Sequence, residues 1–220
     1  MSNKSNYLSL NIDISDKKIV VFGGGKVAER KVQHLLGSKH LVVVSRSLTD
    51  SLQILWEADQ LDHINARLLI KDTVLISALI DSAFLVVPAT SDQELNQVIK
   101  QLADEQGILC NDVDQSDEVL VPFQVHSEEA SVAITTYGKS PAMIKYLKDT
   151  TDTILTPQVD AMIRLQESLR KKLKKTVDCQ AKRRELLTAV IHNDDIWSCL
   201  PDNEKLAKTK AKALIKEMLA

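Results

Sequence analysis

Apolar residues in the first part of the chain come in short unbroken runs, whereas toward the end they recur at helical spacing. Residues 18–22 (KIVVF) run into a glycine cluster. After it Val27, Ala28, Val32, Leu35 and Leu36 recur at three- and four-residue intervals up to Gly37. That order predicts strand, turn and helix. LVVVS at 41–45 predicts a second strand, with helical spacing over about 48–59. ARLLI at 66–70 predicts a third strand and AFLVVPA at 83–89 a fourth. A helix over about 92–105, capped by Ser91 or Asp92, leads to a fifth at 107–112 (GILCND). Strands apolar on both faces and alternating with helices imply a parallel sheet covered on both sides, an α/β arrangement.

The pattern changes after Asp114. VLVPFQV (119–125) and ASVAITT (130–136) flank a polar turn, His126-Ser127-Glu128-Glu129, and predict a hairpin. From Ser140 the spacing is helical, through Met143, Ile144 and Leu147, then Val159, Met162, Ile163, Leu165 and Leu169. Two last helices are predicted over about 181–192 and 203–219.

Charge follows the same division. Residues 1–114 carry 11 Lys and Arg against 15 Asp and Glu, and residues 139–220 carry 17 against 11. The basic residues concentrate between Arg164 and Arg184, as either a polyanion surface or a solvated helix face. Aromatics are 4% of the chain, which counts against a nucleic-acid platform of stacked rings. Three cysteines without a C-x-x-C pair indicate neither a zinc knuckle nor a disulfide framework. The first 15 residues lack an export-type apolar core, and no run approaches the ~18 apolar residues of a membrane span. The expectation is a cytoplasmic protein with no membrane and no nucleic-acid partner.

Gly23-Gly24-Gly25-Lys26-Val27-Ala28 fits G-x-G-x-x-A between a strand and a helix. The first glycine permits the turn, Gly25 lets a pyrophosphate approach the backbone, and Ala28 packs closely. The helix N-terminus supplies N–H groups and partial positive charge. The acid expected about 20 residues later, on the ribose 2′-hydroxyl, is replaced by Ser45-Arg46. Ser45 could bond the ribose, while Arg46 either favours a 2′-phosphate or sits in solvent. The turn alone therefore leaves NAD and NADP open. Thr90 and Asn96, after the fourth strand, are further candidates for cofactor contacts. Asp112 and Asp114 share a face of extended chain, where a carboxylate could accept a proton, bind a metal through oxygen, or cap a loop. Of five histidines, only His126 is a candidate for a site.

The run VVFGGGKVAERKVQHLL resembles the opening of the precorrin-2 dehydrogenase/sirohydrochlorin ferrochelatase family, the N-terminal module of siroheme synthases. Matches follow at Ala89-Thr90-Ser91-Asp92 with Asn96, at Cys110-Asn111-Asp112-Val113-Asp114, at Pro122, and at Thr135-Thr136-Tyr137-Gly138-Lys139-Ser140-Pro141. The resemblance implies a Rossmann NAD-binding domain (1–114), a small β-containing dimerisation segment (115–150) and a C-terminal helical domain (151–220), in a homodimer. It implies NAD-dependent oxidation of the tetrapyrrole precorrin-2 to sirohydrochlorin, with insertion of Fe²⁺ as a second activity of some members.

By the same resemblance Asp114 is the catalytic aspartate, which would also serve any metal insertion. Gly23, Gly24, Gly25, Lys26, Val27, Ser45, Arg46 and Thr90 would bind the cofactor, and Asn111, Thr136 and Ser140 the substrate. Tyr137 and Lys139 depart from the family pattern, Tyr137 replacing a glycine. A non-catalytic nucleotide-sensing Rossmann module is the competing reading, and a basic nucleic-acid binder fused to a Rossmann domain a third.

Overall fold

Five parallel strands in the order β3-β2-β1-β4-β5 form the sheet of the first part of the chain. The computed structural model describes residues 7–66, 72–112 and 119–220, which divide into two units, Met1–Val121 and Pro122–Ala220.

In the first unit β1 (Lys18–Phe22) is central, flanked by β2 (His40–Ser45) and β4 (Leu85–Pro88). Its alternate side chains supply two separate cores. Ile19 and Val21 pack with Ala28 and Val32 of α1 (Lys26–Gln33) and Leu52 of α2 (Asp50–Glu57). Val20 and Phe22 pack with Ile76 and Ile80 of α3 (Thr73–Ile80) and with Ile99 and Ala103 of α4 (Gln93–Glu105). Each fully buried branched side chain of this kind contributes about 1.5–3 kcal/mol, so the period-two pleat of one strand holds helices on both faces. Asp92 caps α4, accepting from Leu95 N at 3.1 Å.

The third strand departs from the sequence expectation. β3 is Asp62–Asn65, paired with β2 from Val42↔Asp62 to Ser45↔Asn65, whereas the apolar run predicted it at 66–70. Residues 67–70 of that run lie outside the described residues. An edge strand pairs on one side only, so DHIN is held by its backbone ladder and needs no apolar pattern. The fifth strand, β5, is limited to Leu109–Cys110. Gly107, at φ +68, turns the chain from α4 into it.

In the second unit β6 (Phe123–His126) and β7 (Ser131–Ile134) form the predicted antiparallel hairpin. Its turn is 127–130 rather than 126–129, because His126 still pairs with Ser131. Helix α5 (Pro141–Asp152) packs on both strands. The helical core then forms from α6 (Pro157–Thr176), α7 (Gln180–Ile191), the short α8 (Asp194–Trp197) and α9 (Glu204–Leu219). Leu165, Leu169 and Leu173 of α6 meet Leu186 and Val190 of α7 and Ala207, Ala211 and Ile215 of α9. No described helix is long and apolar enough to cross a membrane.

Candidate nucleotide site

The strand order reverses direction at β1, and the crevice outside the carboxyl ends of β1 and β4 is where open α/β sheets take ligands. Here that crevice is a cleft of about 810 Å³, lined by the glycine turn, by residues 44–49 and by Ala89-Thr90-Ser91-Asp92. All eight of the residues expected to bind cofactor line it: Gly23, Gly24, Gly25, Lys26, Val27, Ser45, Arg46 and Thr90.

The three glycines serve different ends. Gly23 has φ +115, and a Cβ there would lie 2.3 Å from the Ala89 carbonyl oxygen. A Cβ on Gly24 would lie 2.0 Å from the Ser47 carbonyl oxygen. These two glycines let neighbouring backbone close in. At Gly25 a Cβ would meet nothing within 4 Å, so its missing side chain leaves open space. Gly25 is also the N-cap of α1, and no side chain caps that end. The first helical bond runs from Glu29 N to Gly25 O (2.9 Å), leaving the N–H groups of Lys26, Val27 and Ala28 before it. An open approach to an uncapped helix N-terminus fits a pyrophosphate, and hence a dinucleotide such as NAD⁺.

At the end of β2, Ser45 is buried and lines the cleft beside Gly24. Ser45 Oγ donates to Ser47 O at 2.9 Å and lies 3.1 Å from His63 Nε2. His63 Nε2 also lies 3.2 Å from the Ser45 carbonyl oxygen, and the roles at Oγ follow the histidine tautomer. His63 also stacks edge-on against Trp56, their centroids 5.5 Å apart. Arg46 is exposed on the cleft wall. Thr49 N donates to Gly24 O (3.0 Å), tying this loop to the glycine turn. Lys26 pairs with Glu29 (3.1 Å). Glu29 sits below the usual carboxylate range, first because of a hydrogen bond with the Thr49 side chain and then one from Lys26.

At the end of β4, Asn96 is buried and both ends of its amide are bound to Thr90. Its Oδ1 accepts from Thr90 N (3.1 Å) and Thr90 Oγ1 (2.7 Å), and its Nδ2 donates to Thr90 O (3.1 Å). Thr90 reaches the cleft, whereas Asn96 is not among the lining residues and holds the loop behind it.

The residues expected to bind substrate are not among those lining the cleft. Asn111 is buried at the end of β5, accepting from Lys31 Nζ (2.6 Å) and donating to Val119 O (2.8 Å). Asp112 is buried beside Lys100 Nζ (3.6 Å). Asp114 lies outside the described residues. In the second unit Ser140 caps α5, its Oγ accepting from Met143 N (3.3 Å), and Ser140 N donates to Thr136 Oγ1 (3.2 Å). The His126 ring reaches Gln124 Oε1 on its own strand at 3.0 Å. Among the described residues no group of three or more His, Cys, Asp and Glu could hold a metal.

Two parts of the cleft carry no sequence signal, and neither does His63, which supports Ser45 from behind the lining and whose spacing matches no motif. Ile76 lines the cleft from α3, whose run TVLISALI lacks an amphipathic period, although Asp72 is a side-chain cap bonded to Val74 N and Leu75 N (both 3.1 Å). The loop residues Ser47, Leu48 and Thr49 enter through backbone geometry alone.

A family model described as "Putative NAD(P)-binding" matches residues 10–123. A precorrin-2 dehydrogenase of Methanosarcina barkeri is 37% identical over 219 residues, covering 100% of this chain and 98% of that protein. Siroheme synthase 1 of Aeromonas salmonicida is 27% identical over 90% of this chain, which spans only 42% of that protein's length. Among solved structures, that of SirC, a precorrin-2 dehydrogenase, superposes with a TM-score of 0.70 at 20% identity, covering 94% of this chain and 100% of that one.

Proposed function

The chain belongs to the precorrin-2 dehydrogenase family, and on that premise we propose that it oxidises precorrin-2 to sirohydrochlorin with NAD⁺. The observation that carries the reading is the Gly25 cradle, an open approach to the uncapped end of α1 within the switch-point cleft. The full-length relationship supplies the substrate. NAD⁺, when bound, supplies the hydride acceptor. The chain binds the pyrophosphate through the α1 N–H groups and shapes the wall beside it through Thr90, which Asn96 fixes.

Asp114 is the proposed proton acceptor as hydride leaves the substrate carbon. The reading rests on its place in Cys110-Asn111-Asp112-Val113-Asp114. Asn111, Thr136 and Ser140 are the proposed substrate contacts on the same ground. The protein is proposed to act in the cytoplasm as a homodimer through the segment around α5. That helix has no buried residue and exposes Met143 and Tyr146. Sedimentation or light scattering measures that state directly.

The test is anaerobic incubation with precorrin-2 and NAD⁺, followed by NADH absorbance and the sirohydrochlorin spectrum. Turnover is expected, and in Asp114→Ala it is lost while NAD⁺ still binds. A protein that binds NAD⁺ but never turns over precorrin-2 would be a nucleotide-sensing module instead. A separate incubation with sirohydrochlorin and Fe²⁺ decides whether metal insertion accompanies oxidation.

A further inference from the structure

The wall at the end of β2 carries a feature that the dehydrogenase reading leaves unused. In this class of fold the ribose 2′-hydroxyl lies at the end of the second strand. An acid there bonds the hydroxyl, and an arginine accommodates a 2′-phosphate. The cleft lining on that side is Ser45, Arg46, Ser47, Leu48 and Thr49, with no carboxylate. The acids nearby in sequence do not line it. Glu29 is occupied by Lys26 and Thr49, and Asp50 stands in the first turn of α2. Asp92 lines the other wall, past β4, as the cap of α4.

We propose that this cleft accepts NADP⁺ as well as NAD⁺, with Arg46 holding the 2′-phosphate. The proposal rests on the dinucleotide-binding reading of the site. Other arginines of the chain show what an engaged guanidinium looks like. Arg164 bonds Glu128 and Glu204, and Arg183 bonds the carbonyls of Val177 and Asp178. Arg46 makes no hydrogen bond or ion pair with the described residues, and it is exposed on the cleft wall. Its five N–H donors are therefore available, in a planar fork that matches two phosphate oxygens.

The backbone that carries Arg46 is pinned to the turn that would receive the pyrophosphate. Thr49 N donates to Gly24 O at 3.0 Å, and Ser45 Oγ donates to Ser47 O at 2.9 Å. The bare Cα of Gly24 lets Ser47 O come close. The guanidinium is thus offered from a fixed loop, which lowers the ordering cost of binding an anion beside the ribose. Ser45 does not reproduce the missing acid, since its uncharged Oγ is already engaged with Ser47 O at 2.9 Å and His63 Nε2 at 3.1 Å.

Calorimetry of the full chain with NAD⁺ and with NADP⁺, repeated on Arg46→Ala and Arg46→Asp, tests this. The wild-type Kd for NADP⁺ is expected within tenfold of that for NAD⁺. Arg46→Ala should raise the ratio of the NADP⁺ to the NAD⁺ Kd by about tenfold, the scale of a lost charge-assisted bond. Arg46→Asp should raise it further. Wild-type protein that binds NADP⁺ more than tenfold more weakly than NAD⁺ overturns the proposal, and so does a ratio unmoved by Arg46→Ala. If the folded protein binds neither nucleotide, the dinucleotide reading itself falls and this proposal with it.

Discussion

Lys31 Nζ donates to Asn111 Oδ1 at 2.6 Å, joining the last turn of α1 to the end of β5. Asn111 is buried, and its Nδ2 reaches Val119 O at 2.8 Å. One amide therefore fixes where the chain leaves β5 and where it returns at Val119. Lys31→Met keeps the aliphatic stem and removes the donor, so Asn111 Oδ1 loses a charged partner while buried. The cost is about 1–3 kcal/mol. At roughly 2–4 °C per kcal/mol for a chain of this size, thermal unfolding should begin several degrees lower. An unchanged melting temperature would show that the contact contributes nothing net.

The glycines separate folding from binding. Gly23→Ala forces a Cβ to 2.3 Å from Ala89 O at a φ of +115, so the variant should melt lower or fail to accumulate. Gly25→Ala places its Cβ in open space at an ordinary φ of −88. It should melt at or a few degrees above the wild-type temperature, since an unstrained Gly→Ala substitution stabilises by about 0.4–1 kcal/mol. The same methyl occupies the path of the pyrophosphate, and NAD⁺ affinity should fall about tenfold or more. Scanning calorimetry and nucleotide titration on both variants give the comparison. Wild-type NAD⁺ affinity in Gly25→Ala would remove the turn from the site.

The two middle strands and the glycine turn were legible in the sequence because each signal is local. KIVVF and LVVVS are buried on both faces, and the turn follows the first of them directly. β3 was misplaced because an edge strand is made by its neighbour's backbone rather than by its own apolar pattern. Helix α3 carries no such signal, because six of the eight residues of TVLISALI are apolar and leave no polar face. At the site, the glycines could be read from the motif. The contacts of Ser45 with Ser47 and His63 and the binding of Asn96 to Thr90 depend on side-chain directions that spacing does not encode. Tyr137, which replaces the glycine of the family pattern, holds φ +53, so the backbone keeps the left-handed bend without the residue that adopts it most easily.

Asp160 accepts from Ser127 Oγ (2.6 Å), Glu129 N (3.1 Å) and Glu128 N (3.2 Å), tying the hairpin turn to the first turns of α6. These bonds, led by that from Ser127 and helped by Arg164, hold its carboxyl below the usual carboxylate range. A depressed folded pKa stabilises the fold above the unfolded value of about 3.9. That stability is lost as pH falls through the lower folded value. Asp160→Asn should therefore lower the melting temperature at pH 5–7, and its difference from wild type should shrink below about pH 4. A difference that stays constant with pH would assign the effect to lost hydrogen-bond geometry alone.

Lys172 of α6 stands close to Lys212 and Lys208 of α9, and its ammonium sits below the usual lysine range, first because of Lys212. The three lysines follow from the packing beneath them. Leu169 and Leu173 meet Ala211 and Ile215 in the core, which brings the adjoining solvent-facing positions of the two helices together. Like charges so placed oppose folding whenever all are protonated. A lysine with a lowered folded pKa detracts from stability below that value, and the deficit disappears as pH rises toward the unfolded value of about 10.4. Lys172→Gln should therefore raise the melting temperature at pH 7 in low salt. Salt should shrink the gain, because exposed charges are screened within about 3 Å at 1 M ionic strength, and so should raising the pH toward 10. Melting curves of wild type and Lys172→Gln at two salt concentrations and two pH values measure this. A variant that melts lower than wild type in dilute buffer would mean that the Lys172 stem packs more than its charge repels.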